Sequence, residues 1–419
     1  MNSAKGLVAG LLLAAGAAYG QGTADLDGHL KYRFTGVRNP GDSLWTESAG
    51  RSTVDQGAGV RMNFHWRRGA VDARMDYQLT GVKGERLLAA GEVFPESLSP
   101  GSRASADGLR LLDLASVISE GEDYALQHRL DRWWFGHSGE NTTLRFGRQA
   151  VTWGNGLFYT PMDFFNPFDP TGVDKEYKPG DDMVYGQHLM NTGNDLQGVA
   201  VVRRDPVNRE VEQDQATLAF KYHGLLETSE VDLLAARHFS DQLFGIGGNR
   251  ELGQALWRGD LVASRTGDDT VFTFVTNLAY SWVWGGKNVS GALEYFFNGF
   301  GQTGGDYDPE ALSQNPALVQ RLARGELFTL ARHYVAGSVT AEASPLVLVT
   351  PNLFVNLSDQ SGLFQVLIQG DVKQDLLLTV AFSVPIGPAG TEFGGIESDS
   401  PGRYLSTGPA VFVQLAAYF

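Results

Sequence analysis

The chain has 419 residues, no cysteine, 52 glycines and a formal net charge of −15 at pH 7. Without cysteine there are no disulfides, thiol nucleophiles or cysteine metal sites, and so acidic a chain argues against nucleic acid as a partner. Past residue 20 no segment is apolar enough to span a bilayer as a helix, and no linker or composition break divides the chain.

The first element is an export signal. Lys5 supplies a positive start, Leu7 to Ala18 is a short apolar stretch, and Ala18-Tyr19-Gly20 reads as a small-x-small cleavage site. Residues 1–20 are expected to be removed, leaving 21–419 as one β-domain whose net charge, without Lys5, is −16.

From residue 25 the text alternates with period two. Leu26, Gly28, Leu30, Tyr32 and Phe34 interleave with Asp25, Asp27, His29, Lys31 and Arg33. An apolar face opposite a wholly ionisable one fits a strand between lipid and a wet lumen better than a strand of a soluble sheet. Val60, Met62, Phe64 and Trp66 alternate with Arg61, Asn63, His65 and Arg67; a short connection then leads to Val71–Thr80, where Asp72, Arg74 and Asp76 fall on the polar face. The same rule predicts 16 strands, at 25–34, 57–67, 71–80, 124–135, 142–151, 195–203, 214–223, 230–238, 252–263, 270–284, 288–298, 333–342, 346–357, 362–370, 375–385 and 409–419. Fourteen or 18 remain open, one hairpin either way. With no spanning helix, the membrane structure these strands can build is a closed, antiparallel, up-and-down β-barrel.

Connection lengths bear on the count. Long segments at 35–56, 81–123, 152–194, 299–332 and 386–408 follow odd-numbered strands and read as external loops. The parity fails in the middle, where the connections near Pro206 and Gly245 are too long and those near Leu225, Thr266 and Ser358 too short. Aromatics at Trp133, Trp134, Phe135, Trp282, Trp284, Tyr418 and Phe419 suggest one membrane girdle, and Tyr32, Phe34, Phe296 and Phe297 the other. Asp308 to Leu327 reads as a helix in an external loop.

Two passages carry a resemblance. The strand ending Val411, Val413, Leu415, Ala417 and Phe419 resembles the C-terminal strand of Gram-negative outer-membrane β-barrels, which implies recognition by the barrel-assembly machinery. Arg145-Phe146-Gly147-Arg148-Gln149, Thr152-Trp153-Gly154-Asn155-Gly156 and the run from Pro161 to Pro170 resemble poorly characterised porin-like barrels. That likeness covers about 30 residues and implies a third external loop folded inward to narrow a pore. The loop's own chemistry agrees, because Phe158, Phe164, Phe165 and Phe168 need something to pack on.

The expected constriction sets an acidic loop against an arginine wall. Asp163, Asp169, Asp174, Glu176, Asp181 and Asp182 stand in or beside the loop; Arg145 and Arg148 precede it, and Arg33, Arg61, Arg67 and Arg74 lie on predicted lumen positions. These arginines could equally pair with lumen acids such as Asp27, Asp72 and Asp76. The acids lack calcium-loop spacing, and no hydrolase, zinc-protease or phosphate-loop motif occurs, so neither metal nor cofactor is expected. The expected function is passive diffusion of small hydrophilic solutes through an outer-membrane channel, in contact with lipid and lipopolysaccharide. A homotrimer is suggested by analogy. The alternatives are a substrate-specific transporter and a closed scaffold or adhesion barrel.

Overall fold

A computed structural model describes residues 22–93 and 107–419; the expected signal over 1–20 lies outside the described residues. In chain order the strands are β1 (Thr23–Arg38), β2 (Ser52–Arg68), β3 (Val71–Gly84), β4 (Ala115–Glu120), β5 (Tyr124–Ser138), β6 (Thr142–Gln149), β7 (Asp181–Leu189) and β8 (Asp195–Val201). They continue as β9 (Thr217–Leu226), β10 (Ser229–His238), β11 (Asp241–Leu252), β12 (Ala255–Thr266), β13 (Asp269–Trp284) and β14 (Lys287–Asn298). The last are β15 (His333–Ser344), β16 (Val347–Asn356), β17 (Ser361–Lys373), β18 (Leu376–Ile386), β19 (Ile396–Glu397), β20 (Tyr404–Leu405) and β21 (Ala410–Tyr418).

Eighteen of these strands form one closed antiparallel barrel. β4 adds to the free edge of β5 above the point where β6 stops, and β19 and β20 make a small separate hairpin. The ring closes where β21 pairs with β1, and the backbone N and O of Phe419 exchange hydrogen bonds of 3.0 and 2.9 Å with Gly28. Apart from that extension at β4, closure leaves no open sheet edge, the condition for a sheet to sit in lipid.

The wall is inside out relative to a soluble protein. Leu26, Phe135, Phe244 and Leu293 are each more than half exposed on the outer face, while Arg61, Asp72, Asp76 and Glu294 are buried on the inner one. β1, β2 and β13, with 16, 17 and 16 residues, exceed the ~9–11 needed to cross the hydrocarbon layer.

The observed count is 18, not 16, and the two strands missing from the sequence reading are β7 and β11. Their restoration corrects the middle parity. The connection near Pro206 becomes an external loop at 202–216, Leu225 lies at the head of the tight turn at 227–228, and Gly245 lies within β11. At one end every connection is now a turn of two to five residues; the long loops at 39–51, 85–123, 150–180, 202–216, 299–332 and 387–409 share the other end with three tight turns. Three predicted girdle aromatics face inward instead. Trp134 lies under Arg145, Phe296 stacks on Tyr159 at 4.7 Å, and Tyr418 donates to Glu176 across 3.2 Å. The expected helix is two short ones, Pro309–Ser313 and Pro316–Arg324, because Asn315 starts afresh as an N-cap and Gly325 ends the second with a left-handed backbone.

Candidate pore constriction

Residues 150–180 leave the wall at the end of β6 and run around the inside of the barrel. Gly147 marks the departure: its φ of +121° and a notional Cβ 2.2 Å from the Trp133 carbonyl oxygen admit no side chain. The contacts then follow the wall in order. Trp153 Nε1 donates to Gln197 on β8 at 2.7 Å, and Asn155 Nδ2 donates to Asp232 on β10 and Asp260 on β12 at 3.1 and 2.8 Å. The backbone N–H groups of Leu157, Phe158 and Tyr159 donate to the Glu294 carboxylate on β14 at 2.6, 3.0 and 2.7 Å. Gln365 on β17 donates to the Thr171 carbonyl at 3.1 Å. Lys31 on β1 meets Asp174 and Glu176 at 2.8 and 2.6 Å, and the Arg61 guanidinium on β2 lies 3.9 Å from the Tyr177 ring centre.

Two kinds of force hold this circuit. Trp153, Met162, Phe164 and Phe165 bury against inner-wall Val199, Val201, Ala219, Leu234, Leu243 and Val262, at about 1.5–3 kcal/mol for each large side chain removed from water. This sector of lumen is dry. The sector of β2, β3 and β5 is a charge lattice, in which Arg61 bridges Asp76 and Asp131 at 3.0 and 2.9 Å while Arg74, Arg129 and Arg132 flank the same two acids.

The predicted site residues therefore separate into groups. Asp174 and Glu176 cross to the β1 wall and meet Lys31, with Arg61 beneath the adjoining Tyr177. Asp163 instead sits at the loop's root, buried with Lys178 at 2.5 Å. Asp169 is exposed and caps its own turn through Thr171. Arg148 and Asp182 are locked together at 2.9 Å, with Asp107 2.7 Å from Arg148, on the strand face that also carries Leu144 and Phe146; Asp181 pairs with Arg203 at 2.7 Å. Arg145 is nearer the turn end, over Trp134 and 3.7 Å from Asp72. Arg67 is exposed at the rim, and Arg33 is half-buried and makes no ion pair among the described residues.

Beside the loop tip lies a pocket whose lining includes the polar side chains of His29, Lys31, Arg33, Gln78, Thr80, Arg129, Asp174, Tyr177 and Gln414. Burial raises the pKa of Asp174, but its hydrogen bond and attraction to Lys31 outweigh burial and hold it below the ordinary carboxylate range. The tip thus stays ionised in mild acid. The root behaves oppositely, because burial outweighs Lys178 and pushes Asp163 up to about 6, and burial lowers Lys178. An Asp with a raised folded pKa binds a proton that the unfolded chain does not between about pH 4 and 6, so its share of stability falls as pH rises through that window, by up to about 3 kcal/mol. Urea titrations of the refolded barrel at pH 4 and 7 should show this difference shrinking in Asp163→Asn; an unchanged difference would count against it.

Lys31, Asn155, Asp260 and Glu294 were not foreseen as site residues. Lys31 and Asp260 lie on alternating strands, but their partners belong to the loop, and no sequence pattern announces a carboxylate whose ligands are backbone N–H groups. Among the described residues no group of acids and histidines is placed to hold a metal ion.

The closed wall and the inward loop give a porin-type β-barrel architecture. No protein-family model and no curated protein matches the chain in sequence. Solved structures share its fold over nearly the whole length. OccAB3 of Acinetobacter baumannii matches with a TM-score of 0.53 and 10% identity, covering 94% of this chain and 99% of its own. OccK7 (OpdD) of Pseudomonas aeruginosa matches at 0.52 and 10%, covering 96% and 99%. A BenF-like porin from Pseudomonas fluorescens Pf-5 matches at 0.50 and 10%, covering 94% and 98%. At such identity the likeness is one of fold.

Proposed function

We propose that the chain is a non-enzymatic outer-membrane channel through which small hydrophilic solutes diffuse passively past the tip of the inward loop. The observation that carries this reading is the loop's circuit, anchored from β8 round to β2, with a polar pocket left open beside Asp174 and Tyr177. A plugged scaffold would have no use for an uncovered file of polar groups. The apolar outer belt supports a lipid setting.

The pocket is basic although the protein is acidic: Lys31, Arg33 and Arg129 face it against Asp174. Selectivity follows the fixed charges of the lumen rather than the total. In a planar bilayer with a KCl gradient the refolded protein should give a steady current whose reversal potential favours chloride. Arg33→Glu should move that potential toward potassium. Absence of current would overturn the channel reading; a potassium preference would overturn the basic-pocket reading alone.

A further inference from the structure

A second cavity lies on the loop side of the constriction, between the inward loop, the inner faces of β10–β14 and the loop at 299–332 that carries the two helices. Its closed part is small, ≈ 70 Å³, and it widens through an open mouth toward the lumen. We propose that this cavity binds a small uncharged aromatic solute, which deepens the channel reading by giving the pore an entry site for that class of molecule.

Three observations point to that chemistry. First, the walls are rich in rings: Phe158, Phe164, Phe168, Phe296, Phe300 and Phe328 line the cavity. Several are already used. Phe296 stacks on Tyr159, Phe164 packs on Phe165 at 4.4 Å, and Phe300 carries the Arg321 guanidinium at 3.6 Å. Phe168 and Phe328 have no ring partner among the described residues, and Phe328 is 41% exposed, a position that favours receiving another ring.

Second, every charged side chain in the lining is already neutralised. Arg321 is paired with Asp241, Glu326 with Arg324 at 3.8 Å besides a hydrogen bond with His238, and Asp163 with Lys178. A charged ligand would have to break a buried pair to gain a partner, so the site disfavours ions.

Third, the lining includes the hydroxyls of two largely buried residues, Ser264 on β12 and Thr273 on β13. Neither has a hydrogen-bond partner among the described residues. A ligand with one hydroxyl or carbonyl would find a hydrogen-bond partner in either of them. Rings, no free charge and one or two polar hooks together describe a phenol-like molecule and not a sugar, which needs many more donors and acceptors.

The test uses the protein in lipid nanodiscs with 4-fluorophenol, followed by fluorine NMR line width against empty nanodiscs. Saturable broadening is expected, weakened at least fivefold by Ser264→Phe, which fills the cavity from the wall. Phe328→Ala, at an exposed position that should not affect folding, is expected to weaken it two- to threefold. Equal broadening by wild type and both variants would overturn the proposal, as would displacement by glucose or equal binding of 4-fluorobenzoate. KCl conductance on the same preparations keeps the two readings apart. Binding without current removes the channel and leaves the site, and current without binding does the reverse.

Discussion

Replacing Glu294 with alanine is expected to at least double the single-channel conductance and make the open current noisy. The carboxylate is fully buried on the inner face of β14 and accepts three consecutive backbone N–H groups, besides Asn277 Nδ2 at 3.1 Å. Hydrogen bonds to a charged group contribute about 1.5–3 kcal/mol each, and a buried donor left unpaired costs about 1–3 kcal/mol. Loss of all three should therefore destabilise the 155–159 segment by roughly 3–6 kcal/mol, even after partial rehydration. The apolar cluster around Met162 and Phe165 still holds the root, and wall pairing does not pass through the Glu294 side chain, so the barrel should form. Glu294→Gln retains one acceptor oxygen and should fall between wild type and alanine. If the alanine variant conducts like wild type, the apolar cluster alone fixes the loop and the constriction does not depend on this anchor.

The same wall explains which strands could be read in advance. β1, β2 and β3 were legible because their lumen faces are charged, so Arg61, Asp72 and Asp76 alternate with apolar neighbours without a break. β11 was not, because its inner positions are Leu243, Gly245 and Gly247. A notional Cβ on Gly247 would stand 2.0 Å from Asp260 Oδ1 and 3.0 Å from Met162 Sδ, so the loop packs directly against bare backbone. A dry, glycine-lined lumen face erases the polar half of the alternation. β7 was hidden differently: it opens with Asp181 and Asp182, which read as the end of an acidic loop but pair with Arg203 and Arg148 at the strand's start. The loop's inward course was legible from its phenylalanines, since so much apolar surface needs cover. Which cation it would meet was not. Lys31 looks like any other lumen residue until the length and path of the loop bring Asp174 and Glu176 onto it.

Arg61 offers a way to separate what holds the tip from what sets its charge. Its guanidinium is almost fully buried, donates to Asn63 at 2.9 Å, bridges Asp76 and Asp131, and supports the Tyr177 ring. Arg61→Met removes all four contacts. Breaking one partner out of a buried charge network costs about 3–5 kcal/mol, and the lower end is expected because Arg74, Arg129 and Arg132 still reach the two acids. The methionine variant should lose part of its chloride preference, one cation having left the wall, and its current should fluctuate as Tyr177 loses its support. Arg61→Lys keeps the charge but lacks the planar fork that serves both acids and stacks on a ring. It should preserve the reversal potential and share the fluctuation. A lysine variant as quiet as wild type would mean that the Tyr177 stack fixes nothing and that Lys31 alone pins the tip. A lysine variant with a shifted reversal potential would mean that the ion path runs against Arg61 itself, inside the lattice rather than along the open side of the loop.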